Sequence, residues 1–315
     1  MIANFNYTPV NNLIASQDLP VDIRVKRDDL FPMTGGGNKA RKIKEILREA
    51  DHLGCNALVT TGGTQSNHAR VVALAAAERR WKCKLILHGT PDQLKRPQGN
   101  LLLMHLASAE IEIVSPDEIA GAMRASMDAL EKSWQPYEIP GGGHCIAGAR
   151  AYVDAVDELA VQCSELDWMP DWIIHASGTG TTQAGIVAGV ERQGWSTKVV
   201  GISVARRNPR GKTIVEQSYQ ELRTSLRLPG PALEIDFRDA WVGAGYEMAD
   251  ERIIQTITQV ARQEGLILDP TYTGKAFTAL LDMIHSGEIS PGDRVLFWHT
   301  GGLLNLLDSS YFKRG

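Results

Sequence analysis

The sequence predicts an α/β protein built on parallel sheets with helices packed over them. Two observations carry this. Short apolar runs alternate with helical patterns almost from end to end, and such alternation makes parallel strands joined by crossover helices. The strand-to-helix junctions GGGNK (35–39), GGTQSN (62–67) and SGTGTT (177–182) are rich in glycine, amide and hydroxyl groups, and in such sheets ligands bind at the carboxyl ends of strands.

Taken in order, Ile23 and Val25 mark a first strand within DIRVKR. Ile43, Ile46, Leu47, Ala50 and Leu53 recur at helical spacing over 40–53, and Gly54 ends that helix. ALVTT (57–61) reads as a buried strand and 66–79 as a helix opened by Ser66, a good N-cap. KLILHG and EIEIV read as short strands with LLLMHLA as a helix between them, and 117–133 as an amphipathic helix. PGGGH (140–144) is a turn signal and a place for the chain to cross between domains. A helix over 147–164, the strand DWIIHAS, the GTGTT loop before a further helix, and the strand VVGISVA follow. Helices near 213–227, 250–264 and 275–287 and the strand RVLFWH complete the series.

Bulk properties exclude several classes. At 315 residues the chain can bury a full core, and 43% hydrophobic with 22% charged residues is ordinary for a globular protein. A net charge of −4 argues against nucleic acid as a partner. The four cysteines (Cys55, Cys83, Cys145, Cys163) form no CxxC pair, which fits a reducing cytoplasm and neither a zinc nor a disulfide framework. The first twenty residues lack a basic region followed by an apolar core, so no secretion signal is expected, and no apolar stretch is long enough to span a membrane. The histidines show no metal-binding spacing, so no metal is expected.

Chemistry concentrates at four places. Lys39 follows three glycines and Asn38 at a strand-to-helix junction. A desolvated lysine amine there is a candidate Schiff-base former, and glycines admit a flat ligand. GGTQSNHAR (62–70) can present helix-start N–H groups to a carboxylate; it can equally be an ordinary capped turn. SGTGTTQAG (177–185) offers N–H and hydroxyl donors for a small terminal phosphate; it has neither the lysine of a Walker loop nor the spacing of a dinucleotide fingerprint. Tyr272 in DPTYTGKAF precedes a helix and is a candidate acid–base group, and Thr300 in WHTGG ends the last strand. The basic run RRNPRGK (206–212) reads as a solvated loop, or as a lure for an acidic substrate.

Taken together, VKRDDL, GGNKARK, TQSNHAR, SGTGTTQAG, LILDPTYTGKAF and HTGG, in this order from residue 25 to 302, resemble the pyridoxal-phosphate enzymes of the tryptophan-synthase-β fold (fold type II). More narrowly, they resemble the family of D-cysteine desulfhydrase and 1-aminocyclopropane-1-carboxylate deaminase. The resemblance implies two open, twisted, mostly parallel sheets with helices on both faces. It also implies a large cofactor-binding domain from residues 1–45 and 151–315, with a small domain, 46–150, inserted in it. Lys39, Ser66, Tyr246 (in GAGYEM) and Tyr272 would be the catalytic set, with Lys39 holding the cofactor and moving the Cα proton. Lys42, Gly178, Thr179, Gly180, Thr181 and Thr182 would bind the phosphate, Asn67 the ring O3′, and Thr300 would face the pyridine nitrogen. Gln65, Ser66, Asn67 and His68 would bind the substrate. A homodimer acting on a small amino acid is implied.

Ring-opening deaminases of this family carry Glu after the tyrosine and Leu before the final glycine pair, where this chain has Thr273 and Thr300. A neutral Thr300 leaves the ring a weaker electron sink, which suits loss of a good β-leaving group better than ring opening. The expected reaction is therefore α,β-elimination, with D-cysteine as first candidate. Synthases that replace a β-substituent carry a TSGNTG-like nest in place of TQSNHAR, and a binding protein without catalysis has no need of Lys39, Tyr246 and Tyr272 together. Residues 203–230 do not match the family closely.

Overall fold

In the computed structural model, residues 7–14 and 19–312 are described. Parts of the N-terminal stretch read above for a secretion signal, residues 1–6 and 15–18, lie outside them. Among the described residues, ten strands form two sheets. The larger has the order β1 (Val10–Asn12), β2 (Asp22–Arg27), β10 (Arg294–His299), β7 (Trp172–Ser177), β8 (Lys198–Ser203), β9 (Asp236–Arg238). All its pairings are parallel except that of β1 with β2. The smaller sheet is fully parallel, in the order β5 (Glu110–Val114), β4 (Lys82–His88), β3 (Ala57–Gly63), β6 (Pro136–Ile139).

The chain divides into two compact units, residues 1–38 with 149–315, and residues 39–148. In the larger unit the central strands are buried on both faces, as parallel strands under crossover helices must be. Trp172, Ile174, Val295 and Phe297 pack towards α8 (Glu251–Glu264) and α9 (Thr273–His285). The alternate residues Ile173, Leu296 and Trp298 pack towards α5 (Ile146–Glu165), α6 (Thr181–Gln193) and α7 (Arg210–Leu226). The close fit of α6 on α5 requires glycine: a Cβ on Gly185 would lie 2.3 Å from the Ala149 carbonyl oxygen. The smaller unit carries α1 (Asn38–His52) from Lys39 onward, α2 (Asn67–Arg79), α3 (Gly99–Leu106) and α4 (Ile119–Leu130); α2 and α4 pack on the sheet, with Met123 of α4 against Val59 and Ile86, and α3 packs on α2.

Helix boundaries follow local chemistry. Ser66 caps α2, its Oγ accepting the Ala69 N–H, and Asp250 caps α8 by accepting the Ile253 N–H. α8 stops at Gly265, which takes the left-handed φ of 61°. α7 starts at Arg210, so the end of the basic run read as a loop is helical. Three strands not expected from the sequence, β1, β6 and β9, have three or four residues each, too few to show a period. No helix among the described residues is long and apolar enough to cross a membrane.

Candidate active site

In the larger unit, the segment leading to Lys39 is held by backbone. Gly36 and Gly37 have φ of 48° and 92°, a region that disfavours any side chain. A Cβ on Gly36 would stand 1.9 Å from the Asp29 carbonyl oxygen, and one on Gly37 would stand 3.0 Å from that of Thr300. The Gly37 N–H donates to the Asp28 carbonyl at 2.7 Å and the Asn38 N–H to the Thr300 carbonyl at 3.0 Å. The Asn38 side-chain amide donates to Thr182 Oγ1 at 3.1 Å. Asn38, one peptide bond before Lys39, thus contacts both Thr300 and the SGTGTT loop.

Asp28 anchors this arrangement from below. It is fully buried, and its carboxylate accepts from Thr8 Oγ1 at 2.8 Å, Tyr152 OH at 2.6 Å and Trp298 Nε1 at 2.9 Å. Such multiple donors hold a buried carboxylate at one orientation. The sequence shows Asp28 only as part of VKRDDL, with nothing to mark it as a hub.

The SGTGTT loop ends β7 and opens α6. Gly180, with φ of 90°, is the N-cap and offers no side chain to the first-turn N–H groups. A Cβ there would sit 2.9 Å from Val215 Cγ2. Thr181 and Thr182 are buried in that first turn, while Gly178 and Thr179 are half-buried ahead of it. An uncapped helix start with adjacent hydroxyls suits a phosphate.

The tyrosines are brought together in the same unit. The Tyr246 and Tyr272 hydroxyls share a hydrogen bond, and the rings meet edge to face at 5.9 Å and 76°. Burial first, then the neighbouring Tyr246, holds the Tyr272 phenol well above its usual range. Tyr246 is 46% exposed overall, but enclosure of its hydroxyl end pushes it up to about 12. Both are therefore neutral proton donors at physiological pH. Asp269 sets the turn carrying Tyr272 by accepting the N–H groups of Thr271, Tyr272 and Thr273 at 3.0, 3.0 and 2.8 Å. Thr273, read above as a mark of substrate, is fully buried. Its hydroxyl donates to the Asp269 carboxylate and accepts the Asp269 N–H. It acts as the staple of this turn, so whatever it says about substrate it says by not being a carboxylate.

In the smaller unit, Lys39 and Lys42 lie one turn apart on α1. Lys42 is 1% exposed and its Nζ meets no acceptor. Burial, then the adjoining Lys39 amine, holds its pKa well below the ordinary lysine range. His68 is likewise held well below its usual range by burial, then by Lys39 and Lys42. A buried ammonium with no acceptor is costly unless an anion joins it, so the residues here fit a phosphate-bearing group.

His68, expected to contact substrate, is turned inward: its Nε2 meets Thr60 Oγ1 at 2.9 Å. The Thr60 hydroxyl spends its proton on the Ile139 carbonyl, so His68 Nε2 must be the donor in that bond. The Gln65 side chain is also engaged: Nε2 donates to the Gln98 carbonyl and Oε1 accepts the Asn100 N–H. Through these atoms both side chains support the loop. Ser66 Oγ accepts at the helix cap and retains its proton for a ligand.

Sequence reasoning missed Asn100. It is fully buried at the start of α3, and its Nδ2 donates to the Gln65 carbonyl and to Asn67 Oδ1, both at 3.0 Å. This turns the Asn67 amide so that Oδ1 faces Asn100 and Nδ2 points the other way. A lone Asn after Gly99 carried no signal beyond a turn.

Comparison with known proteins agrees with this chemistry. Residues 4–301 match the profile of the family described as pyridoxal-phosphate dependent enzyme. A Pyrococcus abyssi protein with a provisional 1-aminocyclopropane-1-carboxylate deaminase name is 37% identical over 303 residues, covering 94% of this chain and 89% of its own. A D-cysteine desulfhydrase of Salmonella paratyphi A is 33% identical over 303 residues, covering 94% and 91%. The crystal structure of an ACC deaminase homologue superposes with a TM-score of 0.85 at 32% identity, covering 95% of this chain and 90% of that one. A profile spanning nearly the whole sequence, joined to the lysine pair and the uncapped glycine–threonine loop, means that this chain belongs to the pyridoxal-phosphate dependent enzymes and uses pyridoxal phosphate as its cofactor.

Proposed function

We propose that the protein is an α,β-eliminating lyase that converts D-cysteine and water to pyruvate, hydrogen sulfide and ammonia. The observation that carries this reading is the hydrogen-bonded pair of neutral phenols, Tyr246 and Tyr272, in a chain 33% identical to a D-cysteine desulfhydrase along 94% of its length. Pyridoxal phosphate, when bound, draws electrons from the substrate Cα and so weakens its C–H bond. Lys39 holds the cofactor and takes the Cα proton. Lys42 and the residues from Gly178 to Thr182 would hold the phosphate, Asn67 would bond the ring oxygen, and Thr300 would face the ring nitrogen. Ser66, with the backbone around it, binds the substrate carboxylate. The tyrosine pair delivers a proton to the departing sulfur, which leaves as hydrogen sulfide. A homodimer in the cytoplasm belongs to the same proposal; its four unpaired cysteines suit a reducing compartment.

Ring opening of 1-aminocyclopropane-1-carboxylate is the second reading, favoured by the name of the Pyrococcus abyssi relative. Thr300 and Thr273 speak against it, since neither supplies the carboxylate or the apolar contact of the ring-opening enzymes. Incubation with D-cysteine, L-cysteine, 1-aminocyclopropane-1-carboxylate, cysteate and β-chloro-D-alanine separates the two. Pyruvate and sulfide from D-cysteine are expected. 2-Oxobutanoate from the cyclopropane, with D-cysteine inert, would replace the first reading by the second.

A further inference from the structure

Lys275 takes no part in the chemistry above. It lies in the first turn of α9, three residues after Tyr272, and is fully buried. Among the described residues no carboxylate pairs with it. Its Nζ instead donates to three backbone carbonyls: Gly245 at 2.8 Å, Val242 at 2.9 Å and Val204 at 3.3 Å. An ammonium has three N–H groups, and these acceptors use all of them. Burial lowers its pKa to about 8, against the pull of Asp269 and Asp250. The charged form is thus held at a cost to folding.

Position is what that cost secures. Val242 ends a short 3-10 turn, and the chain from Gly243 to Ala249 is in neither helix nor strand. Its carbonyls have no ladder to join. Gly243, at φ of 66°, reverses the chain there, and Arg207 grips its carbonyl from another side at 3.0 Å. Tyr246 follows directly on Gly245 and is 46% exposed, so packing alone does not hold it. Lys275 shares a helix with the turn of Tyr272 and bonds the residue before Tyr246.

We propose that Lys275 is a positioning residue: by clamping the Val242–Gly245 segment to α9, it sets Tyr246 against Tyr272. This rests on the reading of the two tyrosines as the proton-transfer pair.

The test uses the holoenzyme and the variants Lys275→Met, Tyr246→Phe and their combination. Hydrogen exchange over residues 242–248 should speed up by about tenfold or more in Lys275→Met, with β10 and α6 unchanged. Visible absorption of the bound cofactor should stay as in the wild type. Turnover of D-cysteine should fall with little change in KM, and Lys275→Met should cost nothing further in the Tyr246→Phe background. Unaltered exchange over 242–248 overturns the proposal whatever the activity does, and so does an equal loss of turnover in both backgrounds. If Lys275→Met does not fold, Lys275→Gln, which keeps two donors, is judged by the same criteria. Full activity of Tyr246→Phe, or no turnover of D-cysteine by the wild type, would count against the lyase reading alone, since the exchange measurement still decides the clamp.

Discussion

Asn100 is a residue whose removal should separate loop geometry from chemistry. Its Nδ2 supplies donors to the Gln65 carbonyl and Asn67 Oδ1. In Asn100→Ala both acceptors lose that donor, at a cost of about 1–2 kcal/mol, or about tenfold in the affinity the loop confers. KM for D-cysteine is expected to rise by about that factor while the turnover number changes little. An unchanged KM would show that the loop holds its shape without Asn100. At this scale the sequence was readable where a residue's neighbours in the chain advertise it: Gly36 and Gly37 by the glycine run they form, Ser66 by the helix it caps. It was opaque for Asp28, Asn100, Asp269 and Lys275. Asp28, for one, gains its meaning from Tyr152 and Trp298, which are remote in the chain. His68 and Gln65 stand in the right motif, but their side chains point to Thr60 and to the start of α3, an orientation no spacing reveals.

The glycine segment before α1 is the element on which the placement of Lys39 depends. Gly37 combines a left-handed φ of 92° with a Cβ position only 3.0 Å from the Thr300 carbonyl. Gly37→Ala therefore meets backbone strain of about 1–3 kcal/mol at the residue whose N–H bonds Asp28. The expected result is an enzyme that folds but retains cofactor poorly, seen as faster loss of visible absorption on dialysis. Retention equal to the wild type would mean that the segment absorbs the methyl group elsewhere. The longer elements were legible because both-face burial makes their strands continuous apolar runs, as in WIIHAS and RVLFWH. β9, at three residues, is defined by its pairing to β8 and not by a pattern of its own. The short α10 (Leu303–Asp308) is likewise too brief for periodicity to mark.

For the molecule as a whole, two mainly parallel sheets require long crossovers, and those crossovers place glycine-rich loops at strand ends. The chain leaves the larger unit after Asn38 and returns at Ala149, shortly beyond the Pro140–His144 turn. α1 therefore begins with a residue bonded to Thr182 and Thr300 and continues with the two lysines. That continuity is the physical basis for reading Lys39 as the residue that holds the cofactor. Lys42, buried without an acceptor, is the charge proposed to meet the phosphate. The direct test is borohydride reduction of the holoenzyme, followed by proteolysis and mass spectrometry of the lysine-containing peptides. The phosphopyridoxyl group is expected on Lys39, with Lys42 unmodified and no labelling in Lys39→Ala. Label on Lys42 or another lysine, or label that persists in Lys39→Ala, would contradict it.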